Sequence, residues 1–223
     1  MVRGSGILLV VALVVAPSAR AASKVHVVTF GKWTSVQWSG EDNDKPLAIK
    51  IRPLIIDGRV KEYALGTPHE VTERLFVVRR VFRVNDSLPQ ETAARWQWQR
   101  GGWLLVDRVS GRVSAINLPE FDSFYSAGSW YRDYVAYCGV SDDGQKVYAI
   151  VAQLTRRKPV LKKPLPGGVA DDAAPDSACP PPSWQRSPLR VSFEPAASGK
   201  QTFAIRGHVV DVVTDDEEEQ DAQ

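Results

Sequence analysis

The run Trp103-Leu104-Leu105-Val106-Asp107, a Val-Ser-Gly-Arg turn at Val109–Arg112, and then Val113-Ser114-Ala115-Ile116 reads as strand, turn, strand. A second unit of the same kind follows. Tyr134-Val135-Ala136-Tyr137-Cys138 leads through Ser141-Asp142-Asp143-Gly144 to Lys146-Val147-Tyr148-Ala149-Ile150-Val151. β-branched and aromatic residues bounded by Gly, Asp and Ser are the signature of strands joined by tight turns. Upstream, Leu47–Ile56, an Asp57-Gly58 turn and Arg59–Leu65 form the strongest short-range hairpin signal, because Asp-Gly supplies the positive φ angles that a primed turn needs. Helical periodicity is weak throughout; a short helix over Glu91–Trp98 competes there with the alternation of Trp96-Gln97-Trp98. The expected fold class is therefore all-β and mainly antiparallel, in meander, propeller-like or sandwich-like sheets.

Outward from this centre, Lys24–Trp38 reads as a strand or short hairpin, and Glu70–Asn85 as a β-rich run broken by Arg79-Arg80. Glu41–Pro46 is a polar turn, since Pro46 and Arg52 stand where a calcium-binding EF-hand needs Gly and Glu. Residues 22–162 are expected to form the β domain. The Pro-, Ala- and Asp-rich stretch 163–188 is expected to be a flexible loop, because it has too few large apolar side chains to offset its ordering. Strands within residues 189–214 then return to the same domain, and residues 215–223, with six acids, form a solvated acidic tail.

The N-terminus speaks to compartment. Arg3 gives a positive start, Ile7–Val15 are nine uninterrupted apolar residues, and Ala19-Arg20-Ala21 fits a small-x-small cleavage rule. Residues 1–21 are read as a signal peptide, with an uncleaved anchor as the alternative; nine residues fall short of the about 20 that span a bilayer as a helix. The chain is thus expected to be exported, periplasmic or secreted, and not membrane-spanning after cleavage. Cleavage removes two of the 28 basic residues and no acid, leaving 26 of each sign. No basic face is concentrated enough for nucleic-acid binding. Cys138 and Cys179 are the only cysteines, and in an oxidising compartment they either pair as one disulfide or remain two thiols.

The central pieces resemble β-propeller repeats of the Tol-type and WD-repeat style, in which a Ser-Gly-Arg-like turn closes one blade and a Ser-x-Asp-Gly-Lys-like turn opens the next. The matching residues are Ser110-Gly111-Arg112 and Ser141-Asp142-Asp143-Gly144-Gln145-Lys146 with their flanking strands, within residues 96–154. The whole also resembles uncharacterised exported bacterial proteins with an aromatic central block. A closed propeller needs four to eight blades, more than this chain supplies, so the resemblance implies a local meander or a partial propeller that completes itself by oligomerising.

Chemical motifs are sparse. His26, His69 and His208 lack metal-ligand spacing, no nucleophile elbow or phosphate-cradling Gly loop is present, and Cys138 sits in an apolar strand. No catalytic, cofactor-binding or metal-ligating residues are assigned, and no cofactor is expected. The aromatics offer more. Trp96 and Trp98 share a strand face, and the connection Asp122–Asp133 mixes rings with polar groups. The candidate binding surface is Trp96, Trp98, Asp122, Trp130, Tyr131, Arg132 and Asp133, facing a protein or carbohydrate partner. The reading is a non-catalytic binding or envelope-accessory module; the alternative is a small secreted hydrolase with an unrecognised carboxylate site.

Overall fold

The strand expected over Lys24–Trp38 forms in two pieces, β1 (Val28–Phe30) and β2 (Thr34–Trp38), lying end to end along β3 (Leu47–Ile56). Val28 pairs with Ile56, whereas Thr34 pairs with Ile51, so the register slips by one residue and the intervening Gly31–Trp33 bulges out. The computed structural model describes residues 25–38, 46–170, 174, 176–195, 199–206 and 209–212. The segment expected to be a signal peptide, the acidic tail, His208, most of the Glu41–Pro46 turn and part of the 163–188 stretch lie outside the described residues.

Asp57 and Gly58 both take positive φ, 52° and 75°, and join β3 to β4 (Arg59–Glu70). That is the two-residue primed turn expected of Asp-Gly, whose twist matches the flanking strands. β5 (Leu75–Asn85) and β6 (Trp96–Asp107) continue the meander, and β7 (Arg112–Ile116) pairs with β6. These strands make a seven-stranded sheet, β1-β3-β2-β6-β5-β4 with β7 on β6. It curls until β2 meets β6 in parallel at the single pair Trp38↔Trp98, which with the β3–β4 hairpin completes a ring of paired strands β3-β2-β6-β5-β4.

At Glu91–Trp98, where helix and strand competed, the strand wins: Trp96–Trp98 begin the strand that runs on to Asp107. Gly101-Gly102 lie inside that strand. Arg79 pairs with Trp103 but Val81 with Arg100, so β6 carries an extra residue at the glycine pair. A Cβ on Gly101 would come within 3.2 Å of the Phe82 ring and 3.3 Å of Arg80 Cβ, so a larger residue there would have to push its β5 neighbours back by a few tenths of an ångström. Arg79-Arg80 does not break β5; Arg79 is buried within it.

A second sheet has the order β11-β10-β9-β8, with β8 (Ser129–Tyr131), β9 (Tyr134–Val140), β10 (Val147–Gln153) and β11 (Leu161–Leu165). A third, β12-β13-β14-β15, comprises β12 (Ser183–Arg186), β13 (Leu189–Phe193), β14 (Gln201–Arg206) and β15 (Val209–Val212). The 163–188 stretch is therefore not all loop. Lys163–Leu165 complete β11, Ser183–Arg186 form β12, and Ala178, Cys179 and Pro182 are buried.

The second sheet is the middle layer, which explains its unbroken apolar runs. One face, including Cys138, Val140, Val147, Ala149 and Val151, packs on Val191, Phe193, Phe203 and Ile205 of the third sheet. The opposite face, Val135, Tyr137, Ile150 and Ala152, packs on Leu118, Phe121 and Trp130. Each such fully buried Val, Ile or Phe contributes about 1.5–3 kcal/mol. A separate cluster, Leu54, Ala64, Phe76, Val78, Leu104 and Val106, lies on the other face of the first sheet under Val28 and Phe30. The fold is all-β in mostly antiparallel sheets, and these three sheets do not form a propeller. No helix among the described residues is long and apolar enough to cross a membrane.

Candidate functional site

The extra residue at Gly101-Gly102 sets the side chains of β6. Across it, Trp96, Trp98, Arg100, Trp103 and Leu105 all oppose alternate β5 residues, Asn85 to Val77, and so share one face. Trp103 and Leu105 lie where the first two sheets meet; the Trp103 and Trp130 rings are 5.3 Å apart, edge to face. Arg100, 8% exposed, stacks on buried Trp38 at 4.9 Å. Beyond it the row leaves the interface: Trp98 is half-buried and Trp96 is 57% exposed.

Neighbouring strands complete this open end. Arg83 on β5 lies over both indoles, at 5.5 Å from the Trp96 ring and 5.4 Å from Trp98. Tyr63 on β4 meets Trp98 edge to face at 5.0 Å. The result is a face of two tryptophans, a tyrosine and an arginine. Tyr63 and Arg83 were not singled out from the sequence; only cross-strand register brings them to Trp98.

The other candidate residues do not join this face. Trp103 is seven residues along β6 from Trp96, roughly 20 Å of strand, and the Trp130–Asp133 group lies at that far end. There Trp130 packs between Trp103 and His69, whose Nε2 donates to the Arg132 carbonyl at 2.8 Å. Tyr131 lies against Trp184 at 5.6 Å, and Trp184 Nε1 donates to the Ser129 carbonyl at 3.1 Å. Arg132 is exposed with φ 52° in the β8–β9 turn, and Asp133 accepts from Gln153 Nε2 at 2.8 Å. Asp122 shapes its own turn, its Oδ1 accepting from the Phe124 and Tyr125 amides at 2.7 and 2.9 Å. These groups hold the architecture.

Between the two ends sits a charged clasp. Arg100 Nη2 donates to both Asp176 carboxylate oxygens at 2.6 and 2.8 Å, and Arg79 Nη1 lies 3.6 Å from the same carboxylate. Burial, then the charge of Arg100, pushes the Arg79 guanidinium down to about 10 against the opposing pull of Asp176. The Asp176 and Ala178 amides donate to the Phe124 and Tyr125 carbonyls, and Cys179 is joined to Cys138 in a disulfide. The clasp ties the 176–179 segment across the first and second sheets.

Acid–base chemistry has little support from the carboxylates. Among the described residues the two with resolved shifts are Asp107, at the end of β6, and Asp143, in the β9–β10 turn. Asp107 is held far below the usual range, first by its hydrogen bond from Arg74, and Asp143 is lowered first by Ser141. A general acid near neutrality needs the opposite shift. Among the described residues no three His, Cys, Asp or Glu side chains converge as metal ligands would. No protein-family model matches the chain, and no curated protein or solved structure is significantly similar to it.

Proposed function

We propose that the chain is an exported, non-catalytic binding module of the cell envelope that engages a protein or carbohydrate partner through the Trp96–Trp98 face. The observation that carries this reading is the row on β6 that leaves the sheet interface and ends in an indole 57% exposed, flanked by Trp98, Tyr63 and Arg83. Trp, Tyr and Arg are the residues that concentrate binding energy at interfaces, and aromatic faces also stack on sugar rings. Export is supported by the Arg3, Ile7–Val15, Ala19–Ala21 pattern and by a disulfide suited to an oxidising compartment.

A photo-crosslinking side chain placed at Trp96, with exposed Val109 as the control position, tests the reading in cells that make the protein. The expected result is a discrete adduct from position 96 and none from 109. Equal labelling from both positions, or none from 96, contradicts it.

A further inference from the structure

A second surface, at another part of the first sheet, carries its own chemistry. β4 leaves β3 after the pair Ile51↔Leu65, turning at Gly66 with φ 72°, while β3 continues as Leu47–Lys50 paired only with β2. The parting leaves an open groove of about 690 Å³ lined by Trp33, Thr34, Ser35, Ile49, Lys50 and Leu65. The bulge between β1 and β2 places Trp33 at its edge, 45% exposed. Bulges commonly re-aim a side chain in this way.

Arg52 is the unexplained group. Its guanidinium is stacked between Phe30 and Trp33, at 4.0 and 4.5 Å from the ring centres. Neither a hydrogen bond nor an ion pair to any described residue holds it, and its Nε is buried without a partner. Lys50, exposed beside Ser35, likewise meets no carboxylate among the described residues. Lys50 therefore stands in the groove beside Ser35 and the exposed Trp33 with no carboxylate partner among the described residues, and Arg52 stacks on Trp33 just outside the groove lining.

We propose that this groove binds an anionic saccharide. The indole of Trp33 offers a stacking platform for the C–H face of a sugar ring. Thr34 and Ser35 can donate to or accept from ring hydroxyls. Lys50 supplies the charge for a carboxylate or sulfate, and Arg52, stacked on Trp33, adds positive potential beside it. The open shape suits a chain of several sugars lying across the sheet. This site is independent of the Trp96 face.

Calorimetric titration of the full-length protein with hexagalacturonate, a sulfated hexasaccharide, neutral maltohexaose and hexaglutamate tests the proposal. At least one acidic sugar should bind about tenfold tighter than the neutral one and than hexaglutamate, and which of the two acidic sugars binds better identifies the anion. Trp33→Ala and Lys50→Glu, both at exposed positions, should each weaken that binding about tenfold, whereas Trp96→Ala should change it less than about twofold. Raising salt from about 0.05 to about 0.5 M should weaken it about fivefold or more. Absence of binding by both acidic sugars, equal affinity for the neutral sugar, equal affinity for hexaglutamate, or indifference to Trp33→Ala each overturns the proposal.

Discussion

Replacing Asp176 with Asn removes the carboxylate that hydrogen-bonds to buried Arg100 and lies 3.6 Å from buried Arg79. Arg79 and Arg100 are 6% and 8% exposed, and Arg100 donates to both oxygens of Asp176 at 2.6 and 2.8 Å. Breaking a fully buried pair costs about 3–5 kcal/mol, and breaking an exposed one about 0–1 kcal/mol. The Asp176 side chain is 37% exposed, so solvent screens it and the expected cost lies between, at about 2 kcal/mol. With a urea slope of about 2 kcal/mol/M, the unfolding midpoint should fall by about 1 M at unchanged slope. Arg100→Met in the Asp176→Asn background closes a double-mutant cycle, in which a coupling of about 1–2 kcal/mol is expected. A midpoint shift below about 0.2 M, or no coupling, would refute the clasp as a tie between the sheets.

Three further outcomes follow from the packing. Cys138→Ala with Cys179→Ala opens a loop of sequence separation 41 and should cost up to about 4 kcal/mol, read as a lower unfolding midpoint. Tyr137 is fully buried with its hydroxyl donating to the Pro119 carbonyl, and burial, then Glu120, pushes its phenol well above the ordinary value. Its stabilisation should be intact below about pH 10, where the unfolded phenol titrates, and be lost as pH rises beyond; absorbance should show one of the six tyrosines ionising only with unfolding. Gly139→Ala places a Cβ 2.5 Å from Ile150 Cδ1 and 3.0 Å from Glu120 Cβ. That overpacking should cost about 1–3 kcal/mol in a urea melt.

Local chemistry was legible in the sequence wherever it was sufficient. Asp57-Gly58 specified its turn, and the apolar runs at Tyr134–Cys138 and Val147–Val151 marked strands buried on both faces. What escaped depends on long-range pairing. The extra residue at Gly101-Gly102, which carries Trp96–Trp98 onto the same face as Trp103, was not legible, because a bulge is visible only against the register of β5. Ser183–Arg186 was hidden in a Pro-rich stretch, since four residues of strand become stable only when β13 is present to pair. The candidate surface divided for the same reason. Trp96 and Trp98 reached solvent with Tyr63 and Arg83, while Asp122 and Trp130–Asp133 were taken up by turns and inter-sheet packing.

The functional reading thus rests on one end of β6, where an aromatic row built into the sheet interface continues past it. Oxidative footprinting of the protein in intact cells that make it and after purification tests this most directly. The account predicts that Trp96, and to a lesser degree Trp98, are shielded in the cells and become reactive on purification, while Val109 reacts equally in both. Equal oxidation of Trp96 in the two states would contradict the claim that this face is the contact surface.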